Sequence, residues 1–160
     1  LRHFATLSPI PGFHSWLLKN GDALWAQLPA KQQAAVQKVL DVTQPPVVSQ
    51  WVDACADAQA WGEQHALRKM LMGCAAKYLV QGLDKGRPLD PVARFHLGNG
   101  ARVERINWAA DLSSKGMKQS LGLMVNYAYD LKRLDKHRSL LAQGKVPASS
   151  EVQAWYKDWS

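Results

Sequence analysis

The sequence predicts a helix-rich α/β (α+β) chain with one small sheet. Two apolar runs rich in β-branched and aromatic residues, at 4–10 and 123–129, have strand character. Between Glu63 and Gln81, Ala66, Leu67, Met70, Leu71, Cys74, Ala75, Tyr78 and Leu79 recur at three- and four-residue steps, which lines them along one helical face. Proline and glycine cluster between such segments, as breakers should. A length of 160 residues suits one domain or a large piece of one, and 47% hydrophobic with 21% charged residues is a globular mix rather than a disordered one.

In chain order, residues 4–10 form a short buried strand that ends at Pro9 and Pro11, because proline donates no ladder hydrogen bond. Phe13 to Lys19 begins a helix that Asn20-Gly21 should stop, and Asp22 can cap a second one through Leu28. Pro29 suits the first turn of another, running to about Leu40 with Val36, Val39 and Leu40 inward. Pro45-Pro46 is a hard break. A helix from about Ser49 follows, with Gly62 as its interruption, and then the Glu63–Gln81 helix. Gly82, Gly86, Pro88 and Pro91 read as a loop, and Val92 to Leu97 as a strand. Gly98-Asn99-Gly100 is then the turn of a β-hairpin whose second strand is Arg102 to Trp108. Ser113 or Ser114 caps a short helix to Leu121, ended by Gly122; residues 123–129 follow as a strand. A helix from about Leu134 to Gln143 and a polar tail complete the chain.

Charge narrows the partners without choosing one. The 20 Lys and Arg outnumber 13 Asp and Glu, a net charge of +7. The excess centres on Arg68, Lys69, Lys77, Lys85, Arg87, Arg94, Arg102 and Arg105. Such a field favours polyanions: nucleic acid, anionic lipid, or a phosphate-bearing molecule such as coenzyme A. Basic residues are not interleaved with aromatics, so a nucleic-acid module has little support. No apolar stretch reaches the ~20 residues of a membrane span. Cys55 and Cys74 follow no metal or disulfide spacing and read as buried thiols of a reducing compartment. Seven Trp supply area for a core or a shared interface. The first residue is Leu rather than Met, with no signal pattern after it, and is read as a cut end.

Acid–base or nucleophilic chemistry needs a histidine within reach of a hydroxyl or thiol. His65 and His137 sit among charged neighbours and read as surface groups; His3 lies near the chain start and His14 after a turn. His96 differs, lying in an apolar segment directly before a glycine-flanked turn. The commoner fate of such a histidine is a core position bonded to a backbone carbonyl; the alternative is a reactive group on rigid backbone. Ser8 closes the first strand, and Pro9 holds it extended. Asn107, Asp111, Asn126, Tyr127 and Tyr129 are polar groups in apolar surroundings that need partners if buried. Nucleophile-elbow, zinc-helix and phosphate-loop motifs are not found.

The stretch Leu89-Asp-Pro-Val-Ala-Arg-Phe-His-Leu-Gly-Asn-Gly-Ala101, then Arg105-Ile-Asn-Trp-Ala-Ala-Asp111, then Gly122-Leu-Met-Val-Asn-Tyr-Ala-Tyr129 closely resembles the C-terminal part of the malonyl-CoA decarboxylase family. The opening Leu7-Ser-Pro-Ile-Pro-Gly-Phe13 resembles the same family's serine motif. The resemblance implies decarboxylation of malonyl-CoA to acetyl-CoA and carbon dioxide, with neither metal nor organic cofactor, coenzyme A being part of the substrate. It implies a Gcn5-related N-acetyltransferase-like catalytic domain, of which residues 1–160 are the C-terminal part. A helical domain that makes the homo-oligomer, and the first half of the acyl-CoA-binding domain, are then expected to be absent from this chain. The family's catalytic serine maps to Ser8 and its histidine to His96, with Asn126, Tyr127 and Tyr129 as further substrate-binding candidates. The expected location is the bacterial cytoplasm, with mitochondria as the alternative; Lys157-Asp-Trp-Ser160 is not the Ser-Lys-Leu peroxisomal address. The alternatives are another CoA-dependent acyltransferase of this fold and a basic nucleic-acid-binding module.

Overall fold

The computed structural model describes residues 3–160; the reading of Leu1 as a cut end lies outside them. Strand β1 (His3–Pro9) leads into helices α1 (Phe13–Gln27), α2 (Ala30–Leu40) and α3 (Val48–Ala54). A 3-10 helix (Cys55–Ala60) and the central helix α4 (Ala66–Gln81) follow. A two-stranded ribbon, β2 (Leu83–Asp84) and β3 (Arg87–Pro88), precedes α5 (Pro91–Gly98). The chain then forms β4 (Arg102–Asn107), α6 (Ser114–Ser120), β5 (Met124–Asp130), α7 (Leu134–Ala142) and α8 (Ser150–Ala154). The sheet has the order β1-β5-β4, and both pairings are antiparallel.

The last strand is thus central, and it joins the start of the chain to its second half. Ser8 pairs with Val125, Thr6 with Tyr127 and Phe4 with Tyr129, so these side chains share one face. Pro9 is tolerated because β1 pairs with β5 on one side only among the described residues. The β4–β5 pairing is bulged between Val103 and Arg105, and segment 147–149 runs beside β4, where Val103 N donates to the Pro147 carbonyl at 2.9 Å.

Several segments depart from expectation. Asn20-Gly21 does not stop α1: the helix continues to Gln27, with Gly21 buried on its inner stripe beside Phe13, Leu17 and Leu24. A Cβ at position 21 would collide with the Val48 side chain, so the glycine admits α3 rather than ending α1. Asp22 is therefore interior to the helix. In α2, Val36 is buried as expected, Leu40 packs partly against the core, and Val39 is exposed. The helix after Pro45-Pro46 turns 3-10 at Cys55, well before Gly62.

The larger correction concerns residues 91–100. They form helix α5 and its C-terminal turn, with no hairpin. Asp90 accepts hydrogen bonds from the backbone N–H groups of Val92 and Ala93, both at 3.1 Å, and Pro91 occupies the first turn. Ala93 and Leu97, four apart, are fully buried. Asn99 N–H donates to the carbonyls of Phe95 and His96, so the expected hairpin turn is a helix end.

Helix α4 lies at the centre. Ten of its 16 residues are buried, Met72, Gly73 and Ala76 among them, so burial extends well beyond one stripe. The tail is ordered as well: Ser149 caps α8 and buries Val152, while Trp155 and Trp159 pack on the core. Trp51 is fully buried, and the six other Trp lie partly buried against the same core. Both cysteines are free and buried, and burial pushes the Cys55 thiol up to about 12 and that of Cys74 upward as well. No helix among the described residues is long and apolar enough to cross a membrane.

Candidate active site

Ser8 and His96, 88 residues apart in sequence, meet where the end of β1 faces the last turn of α5. Ser8 Oγ lies 3.3 Å from His96 Nε2 and 3.0 Å from Thr6 Oγ1. On the other side of the ring, His96 Nδ1 is 2.5 Å from the Tyr129 hydroxyl. The result is a continuous chain Thr6–Ser8–His96–Tyr129. Each hydroxyl in it can donate or accept, so the proton order can reverse without moving a heavy atom.

Each position follows from local rules. The β1 register with β5 sets Thr6, Ser8, Tyr127 and Tyr129 on one face, where they meet α5. The Tyr127 ring stacks on the imidazole with centroids 4.6 Å apart, and Tyr129 meets it edge-on at 5.8 Å. Phe4 in turn stacks on Tyr129 at 4.7 Å. Phe95, next to His96 and 65% exposed, and Phe4, 44% exposed, give the approach to the pair an apolar rim. Ser8 itself is 5% exposed.

Electrostatics favour a neutral ring. Desolvation lowers the His96 pKa below its ordinary 6.5, so the imidazole is uncharged near neutral pH. Burial raises the pKa of Tyr129, which keeps its proton. Tyr127 is held protonated in the same way, first by burial and then by the neighbouring Asp90. Its hydroxyl has no hydrogen-bond partner among the described residues.

Of the five sequence candidates, the fold brings Ser8, His96, Tyr127 and Tyr129 together. Asn126 is turned away. Strand alternation puts it on the opposite face of β5, where its Nδ2 donates to the Thr6 carbonyl at 3.0 Å and its Oδ1 accepts from Asn107 Nδ2. Its contacts support the backbone under Thr6 rather than the pair. Thr6, outside the sequence candidates, belongs to the site as well: its spacing of two from Ser8 in a strand puts both hydroxyls on one face. His137, expected at the surface, is 5% exposed and donates Nδ1–H to the Gly100 carbonyl at 2.9 Å. A carbonyl only accepts, so that ring is fixed in one tautomer.

Residues 1–159 match the family model for the malonyl-CoA decarboxylase C-terminal domain. The chain belongs to that family. In the malonyl-CoA decarboxylase family, the rat mitochondrial enzyme is 35% identical over 157 residues, covering 93% of this chain and 32% of its own length. The crystal structure of malonyl-CoA decarboxylase from Cupriavidus metallidurans superposes with a TM-score of 0.84 at 44% identity, covering 97% of this chain and 38% of that one. That from Rhodopseudomonas palustris gives 0.71 at 39%, covering 96% and 33%. The chain thus spans about a third of the length of the curated relatives it matches.

Proposed function

We propose that this chain carries the reacting pair of a malonyl-CoA decarboxylase, with Ser8 and His96 acting on the malonyl thioester. The observation that carries the reading is Ser8 Oγ 3.3 Å from His96 Nε2, in a chain whose relatives bear that enzyme's name.

The chemistry needs little equipment. When the malonyl carboxylate leaves as carbon dioxide, the C–C bonding pair moves into the thioester and gives an enolate. The substrate is its own electron sink, so no metal or organic cofactor is required. The enolate carbon then takes a proton, and acetyl-CoA results. In this reading the Ser8 hydroxyl contacts the malonyl group and hands on the proton, His96 sets that hydroxyl's proton, and solvent restores it. Tyr129 on Nδ1 holds the ring's plane, and its hydroxyl can give or take the proton at that nitrogen. Tyr127 fixes the ring from its face, and the exposed Phe4 and Phe95 shield the approach from water. A donor aimed at a developing oxyanion contributes ~10²–10³ in rate.

The same reading assigns the rest of the acyl-CoA site, and a helical domain that builds a homo-oligomer, to the part of the relatives' length that this chain does not span. It also makes the domain Gcn5-related N-acetyltransferase-like and the setting bacterial cytoplasm. The basic residues between Arg68 and Arg105 attract the anionic substrate. The test measures carbon dioxide and acetyl-CoA released from malonyl-CoA, by this chain and by the same chain within a polypeptide of the relatives' length. Release from the longer protein is expected, with little from the 160 residues alone. A folded longer protein that releases neither product overturns the reading, and acetyl transfer to an amine would then point to an acyltransferase.

A further inference from the structure

We propose that Asp90 is a positioning residue whose buried carboxylate ties the loop behind Ser8 to the helix that carries His96, and so sets the spacing of the pair. The inference rests on the reading of Ser8 and His96 as the working pair.

Asp90 is 1% exposed, and its two oxygens divide their partners between two parts of the fold. Oδ2 accepts from the N–H groups of Val92 and Ala93, both at 3.1 Å, which start α5. Oδ1 accepts from Gly12 N–H at 3.0 Å and from the Tyr78 hydroxyl at 3.1 Å. All four donors are neutral. The α5 N-terminus, with its partial positive charge, complements the carboxylate. One oxygen is therefore the helix cap, and the other is a tether to Gly12 and to the central helix.

Both arms leading from Asp90 to the pair are stiff. From Gly12 back to Ser8 the chain is Pro9-Ile10-Pro11, with two fixed φ angles and Ile10 fully buried. From Asp90 forward, His96 sits within the hydrogen-bonded turns of α5. A displacement at the tether has little slack to absorb it before it reaches Ser8 Oγ or His96 Nε2. Gly12 is part of the same fit, because a Cβ there would collide with the Tyr78 hydroxyl and come within 3.3 Å of Asp90 Oδ1.

Asp90→Asn separates the two oxygens' roles. Asparagine caps helices well, so its carbonyl can keep Val92 and Ala93. Its amide then faces Gly12 N–H, and two donors cannot pair. The test is made on this chain by NMR, with ring-nitrogen titration of His96 and the proton contact between Ser8 Cβ and the imidazole. In Asp90→Asn the His96 midpoint is expected to rise from its lowered value toward 6.5, as water reaches a loosened ring, and the Ser8 contact to weaken. Removing a negative charge without loosening would move the midpoint down, so the sign separates the two causes. Val36→Ala, a core change on α2, is the control: it lowers Tm and leaves the midpoint in place. If Asp90→Asn does not fold, Gly12→Ala carries the same expectation. An Asp90→Asn protein whose midpoint and Ser8 contact match the unsubstituted chain, or whose midpoint falls, overturns the proposal; so does an unchanged Gly12→Ala protein where that variant is the one read. Because none of these readouts uses malonyl-CoA, loss of the decarboxylase reading would leave the tether standing, and the converse holds.

Discussion

Helices α4 and α5 are both apolar runs between breakers, yet they handle buried polar groups in opposite ways. Helix α4 buries ten of 16 residues, and its buried thiol Cys74 is held unreactive by burial. Helix α5 is half as long, buries Ala93 and Leu97, and presents His96 with both ring nitrogens engaged by groups that can give or take a proton. The first supplies packing that nothing else need recognise. The second, anchored by packing through two residues, leaves a turn free to hold His96 between two hydroxyls. The difference teaches where to expect each kind of damage.

The largest effect belongs to α5. His96→Asn in an active decarboxylase of the relatives' length should lower kcat by ~10²–10⁴ with little change in KM or Tm. A change confined to KM would reduce His96 to a binding residue and dissolve the contrast. Next comes α4. Leu67→Ala, at a fully buried position, should cost ~2–5 kcal/mol of unfolding free energy in denaturant melts. The His96 titration should stay where it was. A shifted midpoint there would mean that the two helices are coupled rather than separate in role.

The smallest effect sharpens the comparison through pH, because each helix has one histidine whose pKa burial lowers. His65 caps α4, its Nδ1 accepting from Arg68 N–H at 3.4 Å, and His96 lies on α5. With folded pKa values below 6.5, the unfolded chain binds more protons in this window. The stabilisation is full above 6.5 and is lost as pH falls through the lowered values. Tm should therefore decline from neutral pH into the acid range. His65→Asn keeps a capping oxygen and should flatten part of that decline. An unchanged slope would place the titration elsewhere.

What the sequence determined by itself is what neighbouring residues decide among themselves. A serine cap on α6 at 113 or 114, the strand near 123–129, the α4 helix, the Pro45-Pro46 break and the buried thiols all follow from caps, ring constraints and periodicity within a few residues, and the structure places the cap at Ser113. The serine and histidine candidates were legible too, through residues 7–13 and 89–101. Tertiary structure decided the rest. Residues 91–98 look strand-like because Val92, Phe95 and Leu97 are apolar, and they are helical because Asp90 caps them and Ala93 and Leu97 find a core. Gly21 reads as a stop until Val48 is there to fill its place. Thr6 and Ser8 join the face of Tyr127 and Tyr129, and Asn126 finds the Thr6 carbonyl, only because β1 pairs with β5 in one register across 120 residues. A local signal can name a reactive group, but its partners come from strand registers and helix packing, whose energies are summed over distant residues and written at no single position.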